Sequence, residues 1–145
     1  MGLKLQKRWF AIAPVALITF IAAVELLPRA AADQLKPFTS DGCSSFPDGT
    51  LKEQQLWLNC CIAHDFAYWQ GGNYQQRLDA DKALKECVAN VGKPEIAQLM
   101  LAGVRVGGSP YWPTKFRWGY GWSWPRGYKE VTKEEQRQIE EMIGE

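Results

Sequence analysis

Apolar and polar positions alternate with several different periods along the chain. Trp9 to Val24 is an apolar run without charge, preceded by Lys4, Lys7 and Arg8 and followed by Ala30-Ala31-Ala32. A basic start, an apolar core and a small-residue cleavage site predict a secretory signal peptide over residues 1–32. The rival is an uncleaved anchor over residues 9–27. The uncharged run spans only about 24 Å at 1.5 Å per residue, and the extension to Leu27 takes in Glu25. Either way the remainder crosses the membrane, so the chain is expected to be exported. Residues 33–49, with Pro37, Gly42, Pro47 and Gly49, predict a structured loop.

Helical spacing begins at Thr50, where Thr50 and Glu53 have the form of a capping box. Leu56, Trp57, Cys60, Cys61, His64 and Tyr68 recur at that spacing, and Gly71-Gly72 stops it, predicting a helix over 50–70. A second helix is predicted over 75–91, with Leu78, Leu84, Val88 and Val91 on one face and Gly92 as its stop. Asp81 interrupts that apolar face. A third helix starts at Pro94, a favoured first position, and is predicted to end near Ala102. Seven aromatics then fall within residues 111–124, and from Phe116 to Trp124 they alternate with other residues. Period two predicts one face of an extended segment. It reads as a strand or hairpin packed on the helices, or as a membrane-interface platform with Lys115, Arg117 and Arg126 beside it. A second capping box, Thr132 and Glu135, predicts a polar C-terminal helix acting as a solvated cap.

Composition adds two constraints. The segment after residue 32 has a net charge of about −2 and no basic field, so nucleic acid is not an expected partner. Nothing points to a particular protein partner. Four cysteines, Cys43, Cys60, Cys61 and Cys87, in an exported domain suggest two disulfides. Adjacent Cys60 and Cys61 do not bond to each other in a helix, which leaves two pairings. A zinc site on these residues is disfavoured by the absence of C-x-x-C spacing and by a single histidine. No glycine-rich phosphate loop and no serine elbow occurs.

The candidate chemistry centres on Cys60-Cys61-Ile62-Ala63-His64-Asp65, which holds the only histidine of the chain. With Asp41-Gly42-Cys43-Ser44-Ser45 before it and Tyr68, Asp81 and Cys87 after it, this stretch resembles the secreted phospholipase A2 family, especially its bacterial and fungal branch. The resemblance covers about Asp41 to Cys87. It implies a small, mainly α, disulfide-stapled core in which two antiparallel helices carry the site, here joined to an aromatic-rich extended segment. It implies pairing of Cys43 with Cys61 and of Cys60 with Cys87. It implies hydrolysis of the sn-2 ester of glycerophospholipids at a membrane surface, with calcium as cofactor. By that likeness His64 is the general base on water, and Asp81 orients its ring. Asp65, Asp41 and the Gly42 carbonyl would hold calcium. The residue chemistry agrees: a near-neutral imidazole accepts a proton, a cation stabilises an oxyanion, and calcium takes carboxylate and carbonyl oxygens. A buried Asp81 needs a hydrogen-bond partner, with Asp79 the rival on the same helix and Tyr68 a candidate donor. Asp48 reads as a cation ligand or a turn residue, with the turn favoured. Two other readings remain: a non-catalytic lipid- or calcium-binding module on the same scaffold, and a structural envelope protein that binds through its aromatic segment.

Overall fold

Trp57 decides where the first helix begins. Its buried indole donates to Pro47 O at 2.6 Å, and its backbone N–H donates to Asp48 O at 3.0 Å. These bonds fold residues 47–57 back on themselves, and Gly49 lies so close to the backbone of Glu53 and Leu56 that a side chain there would collide. Glu53 N–H does reach Thr50 Oγ1 at 3.0 Å, but Thr50 N–H returns to Glu53 O at 2.9 Å, closing a turn. Helix α1 therefore spans Leu58–Gln70, not 50–70. A tertiary anchor has overridden a local capping signal.

The structure is a computed structural model that describes residues 33–144; the expected signal segment, and its anchor alternative, lie outside them. Four helices and two disulfides make the described residues mainly α, with no strand among them. Helix α2 spans Tyr74–Asn90 and opens on a complete capping box between Asn73 and Gln76. Helix α3 spans Pro94–Gly107, five residues beyond its expected end. The physical reason is Arg77 of α2, whose Nη2 donates to Val104 O and Arg105 O at 2.9 Å each. A buried guanidinium thus satisfies carbonyls that a helix end leaves bare. Helix α4 spans Lys133–Gly144, and its Thr132–Glu135 box forms in both directions. It is more than a solvated cap, because Ile139 and Glu135 are buried while Met142 and Ile143 are exposed.

Cys43 is bonded to Cys61 and Cys60 to Cys87, the pairing the resemblance implies. All four cysteines are engaged, so none remains as a thiolate for zinc. Cys60 opens α1 and meets the end of α2, while Tyr68 near the end of α1 meets Arg77 in the first turn of α2. The two helices are therefore antiparallel. One core cluster gathers Trp57, the disulfides, Leu84, Val88, Ala97 and Met100; a second gathers Leu35, Trp69, Trp122 and Ile139.

The aromatic segment is not extended. Residues 116–124 run through successive turns, in which Trp118 N–H donates to Gly108 O and Trp122 N–H to Gly119 O. Trp118 and Trp122 are buried as wedges, and their indoles donate to Gly72 O and Gln70 O at 2.8 Å each. Gly119 has φ of +72°, and Gly121 presses on Trp69 with no room for a Cβ. These glycines, interleaved with the aromatics, reverse the chain and cancel the strand that the period-two pattern predicts. The packing expectation holds for Trp118 and Trp122, whereas Tyr111, Trp112 and Trp124 stay exposed. Among the described residues no helix is long and apolar enough to cross a membrane.

Candidate functional site

His64 lies mid-way along α1 and points into the α1–α2 interface. Its Nε2 is 3.0 Å from Oδ1 of Asp81, a carboxylate with no exposed surface. The Tyr68 hydroxyl, one turn after His64, donates to the same Oδ1 at 2.7 Å, and the two rings pack 4.2 Å apart. Burial, and then the Asp81 charge, push the Tyr68 phenol well above the ordinary phenol range, so the hydroxyl keeps its proton and remains a donor. Gly108 has no room for a side chain because its Cβ would collide with that hydroxyl. With Asp81 accepting, Nε2 carries the ring proton and Nδ1 is left as the basic nitrogen.

Asp81 also gathers positive charge. Arg105 Nε from α3 is 2.8 Å from Oδ2, and Arg77 Nε is 4.0 Å away. Oδ2 nevertheless has no hydrogen bond. The short contact lacks hydrogen-bond angles, so it is charge pairing. Arg77 Nε is instead directed at the Tyr68 oxygen, at 3.1 Å. Asp79, the rival carboxylate, is exposed and accepts a bond from Gln75.

His64 lines a pocket of about 500 Å³ between the Gly42–Phe46 loop, α1, α3 and Phe116. Its walls include Leu84, Leu99, Met100 and Val104, and are mostly apolar. A buried imidazole–carboxylate pair at the wall of an apolar pocket can take a proton from a water molecule and hold the resulting charge.

A smaller pocket of about 220 Å³ adjoins the loop and brings Asp41 and Asp65 together with Ser40, Lys115 and Tyr120. Asp65 Oδ2 accepts from Ser40 Oγ at 2.6 Å, and Asp41 Oδ1 from Ser44 Oγ at 2.8 Å. Burial pushes the Asp65 carboxyl up to about 6; Ser40 and His64 pull it down, and the Asp41 charge adds to the rise. Gly42 turns the loop with φ of +73°, where a Cβ would strike the Asp48 carboxylate. Asp48 is the brace of this loop, accepting from Cys43 N–H at 2.8 Å. Among the described residues no three His, Cys, Asp or Glu side chains form a metal-holding group.

The chain matches no protein-family model, no curated protein and no solved structure.

Sequence reasoning missed Arg77, Arg105 and Gly108. Arg77 had a signal: it stands four residues before Asp81, one turn away on the same face. The buried stripe of α2 runs through Arg77, Asp81, Leu84 and Val88, whereas Leu78, expected on it, is only half-buried and Val91 is exposed. Arg105 had none, because it lies beyond the predicted end of α3.

Proposed function

We propose that this is an exported, calcium-dependent hydrolase of the phospholipase A2 type, cleaving the sn-2 ester of glycerophospholipids. The observation that carries the reading is the His64–Asp81 pair opening onto the apolar pocket of about 500 Å³. His64 Nδ1 takes the proton of an attacking water, and Asp81 holds the ring by Nε2–H and stabilises the imidazolium. Tyr68 keeps Oδ1 in place. The apolar walls accept an acyl chain and exclude bulk water. The two disulfides support export, since such bonds persist in oxidising compartments.

The donor set of the smaller pocket supports a hard cation. Asp41 and Asp65 supply only oxygen there, Gly42 of the adjoining loop, which lines the larger pocket, would add its carbonyl, and a carboxyl raised by burial and a like charge gains from a divalent partner. Bound there, calcium supplies positive charge for the oxyanion that develops during ester attack.

Fatty-acid release from mixed phospholipid vesicles, with calcium or with chelator, tests the reading. Release is expected with calcium alone, and His64→Gln is expected to lower it about 10²- to 10⁴-fold. A folded His64→Gln protein with undiminished release would overturn the mechanism. Lipid binding without release by the native protein would leave the apolar pocket as a binding module.

A further inference from the structure

A buried carboxylate needs partners at both oxygens, and those of Asp81 are treated differently. Oδ1 receives His64 and Tyr68. Oδ2 receives no hydrogen bond, and its close neighbour is Arg105 Nε at 2.8 Å. Arg77 is further, at 4.0 Å, and its nitrogens are occupied by Tyr68, Tyr128 and the carbonyls of Val104 and Arg105. Arg105 therefore neutralises Oδ2. It reaches in from the last turn of α3, with Nη2 donating to Leu78 O of α2 at 3.1 Å and 37% of its side chain exposed.

Removing that charge leaves Oδ2 with Arg77, 4.0 Å away and directed at Tyr68, as its remaining counter-charge in the interior, which is unfavourable. The carboxylate then has an escape: it rotates Oδ2 towards Tyr68 and His64, which ends the single arrangement in which Oδ1 serves the ring. We propose that Arg105 is a positioning residue, which holds the Asp81 carboxylate in one orientation so that His64 keeps its proton on Nε2. Arg105 does not line the pocket. Its effect on turnover rests on the hydrolytic reading above; its effect on the ring does not.

The test uses Arg105→Gln, which removes the charge, and Arg105→Lys, which keeps it. Two quantities are read in each. One is kcat and KM for a dispersed short-chain phospholipid. The other is solvent exchange of the imidazole N–H by ¹⁵N NMR, where the single histidine gives an unambiguous signal. The glutamine variant is expected to lose about 10- to 100-fold in kcat with KM little changed, and to exchange its ring proton faster. The lysine variant is expected to recover most of both. Folded Arg105→Gln protein with native exchange would overturn the proposal. So would equal losses in the two variants, or a failure of both to fold, which would make Arg105 a stability residue. If the native protein hydrolyses no phospholipid, the hydrolytic reading fails and the exchange rates alone decide the role of Arg105.

Discussion

Asp81 is the residue on which the charges of the site converge. It was legible as the one polar break in an apolar helical stripe, and its fully buried carboxylate explains why: only hydrogen bonds and counter-charges make such a position tolerable. Two of its four polar neighbours were visible beforehand, His64 from its motif and Tyr68 from its spacing. Asp65 allows a prediction at this scale. Its folded value of about 6 lies above the ordinary 3.8. In the calcium-free protein Asp65 therefore contributes stability that is present below 3.8 and is lost as pH rises through about 6. On the proposed calcium reading, binding would need the charged form and run the opposite way. Calcium affinity, measured by titration calorimetry, is expected to fall about tenfold per pH unit as pH drops below about 6. An affinity flat down to pH 4.5 would remove Asp65 from the cation site.

Two segments with the same T-x-x-E pattern reach different ends. Thr132 and Glu135 bond in both directions and open α4; Thr50 and Glu53 close a turn. The difference lies in what surrounds the glutamate. Glu53 is exposed, whereas Glu135 is buried and paired with Arg126 at 2.9 Å and Lys129 at 2.8 Å. Burial alone pushes Glu135 up, but Arg126, Lys129 and the Thr132 N–H hold it down to about 2, against an ordinary 4.5. Its contribution is then present above pH 4.5 and lost as pH falls through about 2. Glu135→Gln is expected to cost about 1–2 kcal/mol at neutral pH, lowering the thermal midpoint on the order of 5 °C or more. It should also flatten the fall in that midpoint under acid. An unchanged acid profile would show that the box holds without its charge. Helix α3 teaches the same lesson: its last turn is held by Arg77 from another helix, a partner that no local pattern announces.

At the scale of the whole molecule, the disulfides join the Asp41–Asp48 loop to α1 and α1 to α2, so both carboxylate groups and the histidine are carried on one braced unit. Leu99 and Phe116 line the large pocket and are also exposed, and Val106, 78% exposed, continues the Leu99 face of α3. On the proposed reading this apolar rim would meet the lipid surface. Val106→Glu is expected to weaken binding to phospholipid vesicles about tenfold, from the loss of one buried apolar side chain. Hydrolysis of a dispersed short-chain substrate should change by less than about twofold. Equal binding by both proteins in a vesicle sedimentation assay would place the lipid contact elsewhere. Local signals specify α2, α4 and the start of α3, because capping boxes, Pro94 and apolar spacing act within a few residues. The sequence also singled out the residues of the candidate chemistry, because the chain has one histidine and four cysteines, and Asp81 interrupts an apolar helical face. Contacts across the fold made residues 116–124 turn, delayed α1 at Trp57, and enclosed Asp81 between Arg77 and Arg105. Those outcomes depend on burial between segments far apart in the chain, where a neighbour's indole, guanidinium or missing Cβ outweighs local preference.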